Sequence, residues 1–278
     1  MTFVDLHLHT TCSDGADTPE LVVQRAAELG LAAVAVTDHD TVAALPQARA
    51  AAGSLGVEFL SGVEISTWFQ GVEVHVVGLG VREDAPALNA GLQSQHQARL
   101  SRVLRILELL REQGRALDGA VLLAQAERGA LGRMHVAAAL HAAGVTRTVQ
   151  EAFDRFLNTG RPAYVAKQMA AAADALAWIH HAGGLAFVAH PGLGQATRRR
   201  LPALLALPFD GIEAYHTSHS PGETDGFLQL ARERNLLVAG GSDCHGRIKG
   251  MAPEMGKVRV PYKHFAAIKA ALAGTPPC

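Results

Sequence analysis

Nearly every apolar run in this chain that is long enough for a strand stops on a histidine or a carboxylate, and that recurrence restricts the fold more than any other feature. The first run is Phe3-Val4-Asp5-Leu6-His7-Leu8-His9-Thr10, where the two-residue repeat of a strand puts His7 and His9 on one face. Leu31–Val36 runs into Thr37-Asp38-His39-Asp40, Val57–Ser66 carries Glu64, and Gly71–Gly80 carries His75. Farther on, Leu185–Ala189 leads to His190-Pro191, Asp210–Tyr215 to His216, and Leu236–Gly240 to Ser242-Asp243-Cys244-His245. Helical segments separate these runs: one opens at Thr18-Pro19-Glu20 and stops at Gly30, and others fall before Leu55 and over Asp174–Ala182, Pro202–Leu207 and Thr224–Arg234. The alternation predicts parallel βαβ units, and the short gap before Gly71 predicts a hairpin there. Seven such strands predict an α/β barrel whose reactive residues collect at the carboxyl ends of the strands.

The rhythm breaks between residues 81 and 162. This stretch reads as helical throughout, with an apolar stripe over Ala98–Gln113 and a further helix over Met134–Ala143. It holds eleven Arg, no Lys and eight acids, an excess of three positive charges in a chain whose net charge is −1. Residues 1–80 and 163–278 therefore make the barrel, and 81–162 an inserted helical subdomain expected to cover the mouth of the site.

Composition narrows the chemistry. Near-neutral charge predicts no bulk affinity for nucleic acid or anionic membrane. Three cysteines without CxxC spacing indicate neither a disulfide framework nor a thiolate zinc site, and a reduced, cytoplasmic setting is expected. No run is long enough to span a membrane, and nothing points to a protein partner. Fourteen histidines is a high number, and those beside carboxylates at strand ends point to metal. His7, His9, Asp14, His39, Glu64, His75, His190, Asp243 and His245 are the candidate ligands.

These motifs, in this order, resemble the PHP (polymerase and histidinol phosphatase) family of metal-dependent phosphoesterases. The resemblance rests on Asp5-Leu-His7-Leu-His9-Thr10, Ser13-Asp14-Gly15, Thr37-Asp38-His39-Asp40, Gly62-Val63-Glu64-Ile65, His75, His190-Pro191 and Ser242-Asp243-Cys244-His245. It implies a distorted (β/α)7 barrel and up to three divalent ions. Carried over, His7, His9, Glu64 and Asp243 hold one ion, and Glu64 bridges to a second with His75 and His190. Asp14, His39 and His245 hold the third. Some relatives have His where Asp14 stands. Its hard oxygen favours manganese, with iron, zinc or magnesium as alternatives. Asp5, Asp38 and Asp40 are expected to orient ligand histidines from behind.

Ions about 3.5–4 Å apart can share a hydroxide for in-line attack on a phosphate ester whose oxygens they polarise. The expected activity is therefore phosphomonoester hydrolysis, with Glu64 and Asp14 in the catalytic cluster and His216 as general acid or phosphate donor. Arg99, Arg102, Arg133, His135 and Lys167 are candidate substrate contacts, since Arg reads a second anionic group by paired hydrogen bonds. An Arg…Arg helix and a Gly-Arg-x-His segment are similar to those of the PHP subgroup handling nucleotides and RNA ends. The expected substrate is a small nucleotide such as a 3′,5′-bisphosphonucleotide. A 5′→3′ exonuclease on short RNA or DNA and a non-catalytic metal-binding module are the alternatives. Arg105, Arg111, Arg115 and Arg128 read as solvated helix positions, and Glu213 as pointing away from the site or bracing the barrel.

Overall fold

Parallel pairing begins with the opening strand: β1 (Phe3–Asp5) lies beside β2 (Ala33–Val36), and β2 beside β3 (Glu58–Phe69). The computed structural model describes residues 2–120, 122, 132–247 and 254–274; Arg128 and Cys278 fall outside them. The expected hairpin is present. β4 (Val72–Leu79) runs antiparallel to β3 in unbroken register from Gly62 opposite Leu79 to Phe69 opposite Val72. β5 (Ala170–Ala171) adds to the free edge of β3, and β6 (Leu185–Val188) pairs antiparallel with β4. β7 (Gly211–His216) and β8 (Leu237–Gly241) follow in parallel, and β9 (Val260–Pro261) flanks β1.

The two ends of this sheet meet. Leu6 donates its N–H to the Gly240 carbonyl at 3.1 Å, Asp243 donates to the His7 carbonyl at 3.0 Å, and Leu8 bridges Cys244. The result is a nearly closed mixed α/β barrel, distorted by the antiparallel β4. Gly241 makes the closure possible, because a Cβ there would lie 2.4 Å from the His7 backbone nitrogen.

Helix α1 (Pro19–Glu28) starts where Thr18 caps it by accepting from the Leu21 N–H, and it buries Val22, Val23 and Ala26. Helices α2 (Leu45–Leu55) and α3 (Pro86–Glu112) follow, then α4 (Arg133–Ala142) and α5 (Val149–Ala152), which continues as a π-helical turn over Phe153–Leu157. The remaining helices are α6 (Ala172–His181), α7 (Gln195–Leu204), α8 (Pro221–Arg234) and α9 (Tyr262–Gly274). One core layer joins helices to strands through Val22, Ala48, Val34, Val36, Val76 and Ile179. Another packs Val4, Leu6, Ala35, Val77 and Phe187 with Phe265 and Ile268 of α9.

Contacts divide the chain into Met1–Leu92 with Ala170–Cys278, and Gln93–Met169. The division falls inside α3, which is 27 residues long rather than the shorter helix expected. Its Leu88 and Leu92 belong to the barrel's core, whereas Val103, Ile106 and Leu110 pack with Val136, Leu140 and Phe156 in a core of their own. The helix α7 also differs from expectation. It starts at Gln195, after Gly194 at φ 92°, so Arg198-Arg199-Arg200 lie within it and Pro202 sits inside rather than at its start. Among the described residues no helix is long and apolar enough to cross a membrane.

Candidate metal centre

Glu64 is the hub. It lies midway along β3 and is fully buried, yet it is surrounded by imidazoles rather than by hydrocarbon. Its Oε1 is 2.8 Å from His75 Nδ1 and 2.9 Å from His190 Nε2; its Oε2 is 3.0 Å from His39 Nδ1 and 3.4 Å from Nε2 of both His7 and His9. Asp243 enters from beyond β8, its Oδ1 3.0 Å from His9 Nε2 and its Oδ2 3.3 Å from His216 Nε2. Asp14 completes the cluster from the loop after β1, with Oδ1 3.3 Å from His245 Nε2 and Oδ2 3.8 Å from His39 Nε2. The nine candidate ligands thus gather at one end of the barrel, joined by His216.

Among the described residues, donor atoms of eight of the nine fall into three overlapping groups, within each of which all atoms lie inside 4.8 Å of one another. One is His7, His9, Glu64 and Asp243; another is His9, Asp14, His39 and His245; the third is His39, Glu64 and His75. His39 therefore serves two groups. In the third it takes the position the resemblance gives to His190, which nonetheless remains on Glu64.

The arrangement fits cations. His9 Nδ1, His39 Nδ1, Glu64 Oε2 and Asp243 Oδ1 are buried and make no hydrogen bond, an arrangement that is costly unless another charge satisfies them. The Nε2 atoms of His7 and His9 face each other at 3.1 Å. His7 Nδ1 lies 2.9 Å from Glu213, so the tautomer that donates there turns an Nε2 lone pair toward the cluster. The field has the matching sign. Burial would lower His75 and His245, but Glu64 beside the first and Asp14 beside the second raise each to about 9. Burial would raise Glu64, yet His39, His75 and His7 hold it well below its usual range. Buried His, Glu and Asp clusters of this kind suit several metal ions.

The supporting residues differ from the expectation. Asp5 accepts from the backbone of Ser242 at 2.9 Å and of His7 at 3.4 Å, and Asp38 accepts from Thr10 N–H, the Thr10 hydroxyl and the Ser13 hydroxyl. Asp40 accepts from Ser66 N–H at 3.0 Å. These bonds fix the loops that carry the ligands. Glu213 takes the imidazole role: fully buried, it accepts from His7 Nδ1 and, at 2.8 Å, from the His190 N–H. Plain alternation along β7 would turn it away from His216. The β-bulge between Glu213 and Tyr215 breaks that alternation and brings both residues to the cluster. Backbone strain collects here too, with His190 at φ 24°, Asp40 at 51° and Asp243 at 56°.

His216 is buried, and its Nδ1 is 2.7 Å from the Ser218 hydroxyl. Arg99, Arg102, Arg133, His135 and Lys167 belong to the Gln93–Met169 unit. There Arg102 donates to the Val165 carbonyl at 2.9 Å, and Arg133 donates to Leu157 at 3.2 Å with its guanidinium over the Phe153 ring. His135 Nδ1 accepts from the Gly132 N–H at 3.1 Å and so closes the start of α4. Arg99 and Lys167 are half-buried. Arg105 pairs with Glu108 on an exposed helix face, as its solvated reading implies.

Comparison with known proteins gives the setting. The PHP domain matches residues 5–159. The chain is 38% identical over 256 residues to a 3′,5′-nucleoside bisphosphate phosphatase of Chromobacterium violaceum, covering 90% of each. It is also 38% identical over 249 residues to a 5′-3′ exoribonuclease of Salmonella typhimurium, covering 87% of this chain and 84% of that one. A solved structure from Bifidobacterium adolescentis, described as a candidate metal-dependent phosphoesterase, superposes with a TM-score of 0.82 at 32% identity, covering 97% of this chain and 96% of the other.

Proposed function

Because the chain belongs to the PHP-domain family of metal-dependent phosphoesterases, we propose that it is a phosphatase of small nucleotides, acting first on a 3′,5′-bisphosphonucleotide. The observation that carries this reading is the set of three overlapping ligand groups around one buried carboxylate, Glu64. His7, His9, Glu64 and Asp243 would hold one ion, Glu64 with His75 and His190 or His39 a second, and Asp14, His39 and His245 a third. Divalent ions bound there supply an acidified water and positive charge for the phosphate oxygens. The chain's own groups do the rest. His216, fixed between Asp243 and Ser218, protonates the leaving oxygen, and the Ser218 hydroxyl beside its Nδ1 steadies the ring. Arg99, Arg102, Arg133, His135 and Lys167 hold the phosphate that is not cleaved. Support for that last step comes from the Arg excess of the helical segment and from the substrate in the name of the Chromobacterium relative.

Phosphate release from a nucleoside monophosphate and from its bisphosphate counterpart tests the reading. A preference for the bisphosphate in kcat/KM is expected, and equal values would rule out the second-phosphate contact. The exoribonuclease relative, at similar identity, favours a second reading in which short oligonucleotides enter the same centre. That reading requires strong competition by oligonucleotides and binding that weakens steeply with salt.

A further inference from the structure

On the page formed by β3 and β4, Glu64, Ser66 and Trp68 follow one another on one face, since side chains two apart on a strand point the same way. Opposite them in the unbroken ladder stand Val77, His75 and Glu73. Glu64 and His75 are in the metal centre, and the face of the hairpin that carries them continues outward to Trp68 and Glu73. Four residue steps of strand separate Trp68 from Glu64, about 13 Å along the chain. β3 runs parallel to β1 and β2, so this extension projects past the carboxyl ends of the barrel strands. Trp68 is 48% exposed there, although Trp is a residue that folding normally covers. Among the described residues, Leu193, in the loop that leaves β6 after His190, is the other large apolar side chain exposed beyond a ligand-bearing strand end, at 51%.

We propose that Trp68 is a specificity-determining residue, the stacking platform for a base of the nucleotide whose phosphate enters the metal centre. The proposal rests on the nucleotide reading above and adds to it the place where the base is read. An indole face offers a base area, polarisability and low entropy loss, whatever the base's sequence identity. A phosphate is the wrong occupant, because the residue opposite Trp68 in the ladder is Glu73, a carboxylate 3.4 Å from His75 Nε2 and not a cation. A base is neutral, so that carboxylate does not oppose it. Stable anchorage of the hairpin suits the role. Arg200 of α7 donates to the Gln70 carbonyl at its tip at 2.8 Å, and β5 pairs Ala171 with Trp68 on the other edge.

The test compares wild type, Trp68→Ala and Trp68→Tyr on a nucleotide and on the same sugar phosphate lacking its base, with manganese present. Trp68→Ala is expected to lose about ten-fold in kcat/KM on the nucleotide, through KM rather than kcat, and less than about two-fold on the abasic compound. Trp68→Tyr is expected to recover most of the loss. In chelator-treated protein the nucleotide should quench the fluorescence of wild type and leave that of Trp68→Ala, which retains only Trp178, unchanged. Unchanged KM in Trp68→Ala with wild type fully active on nucleotides overturns the proposal and leaves the nucleotide reading standing. Equal loss on both substrates overturns it as well, since the residue then acts on the fold. A wild type that hydrolyses no nucleotide overturns both.

Discussion

Replacing Glu213 by Gln tests how the metal centre is held. Both carboxylate oxygens are committed, one to His7 Nδ1 at 2.9 Å and the other to the His190 N–H at 2.8 Å. Gln keeps one acceptor and puts an amide NH2 in place of the other. With the amide oxygen on the His190 N–H, the NH2 faces His7 Nδ1, and the imidazole must move its proton to Nε2 in order to accept there. Loss of a charge-assisted bond costs about 1.5–3 kcal/mol, which is the destabilisation expected. For a chain of this size that lowers Tm by roughly 3–12 °C. The His7 ring also loses the partner that turns its Nε2 toward Glu64 and Asp243, which should weaken metal binding about 10- to 100-fold. Chelator-competition titration with manganese reads the second effect, and melting of chelator-treated protein reads the first. If Glu213→Gln melts with wild type and binds manganese equally well, the carboxylate neither orients His7 nor supports His190, and the reasoning fails.

Glu64→Ala removes the carboxylate that five imidazoles approach, so turnover should fall by well over the ~100-fold that loss of an outer partner produces, with bound metal falling in parallel by elemental analysis. Gly241→Ala places a Cβ 2.4 Å from the His7 nitrogen and 2.5 Å from Asp5 Oδ1, both in the barrel seam, so the variant should be recovered mostly as insoluble protein or melt by several kcal/mol less, as overpacking of about 1–3 kcal/mol and lost seam bonds combine. Asp210 accepts from the Ala186 N–H and from His180, each at 2.8 Å, and it raises the His180 pKa. Asp210→Asn should cost about 1 kcal/mol in urea melts. Because the folded pKa lies above the unfolded one, the His180 part of that difference is complete below pH about 6.5 and fades as pH rises through the folded value; a difference that grows with pH would contradict the pairing.

Much of this architecture was legible because two periodicities carry it. Period-two apolar runs ending on His or a carboxylate marked the strands and the face on which Glu64, His75 and His190 meet, and the short gap at Gln70-Gly71 marked the hairpin. What escaped were departures from periodicity. The bulge at Glu213 inverts the side on which that carboxylate emerges, and a bulge leaves no mark in residue type. Pro202 suggests a helix start because Pro favours the first turn, but the capping position belongs to Gly194, eight residues ahead of the proline. The division within α3 was hidden for another reason. Leu88 and Leu92 lie in the same helix as Val103 and Ile106, and which core each enters is settled by tertiary packing alone.

The seam between Leu8 and Cys244 brings together residues that are made at opposite times during synthesis. On the ribosome, His7 and His9 emerge more than two hundred residues before Asp243 and His245 arrive to join them. Pairing over such a span is slow, because the loop must close before it is rewarded. A nascent chain that has not yet reached Asp243 therefore has only fragments of a cation site, and hydrolytic power is withheld until that stretch is made.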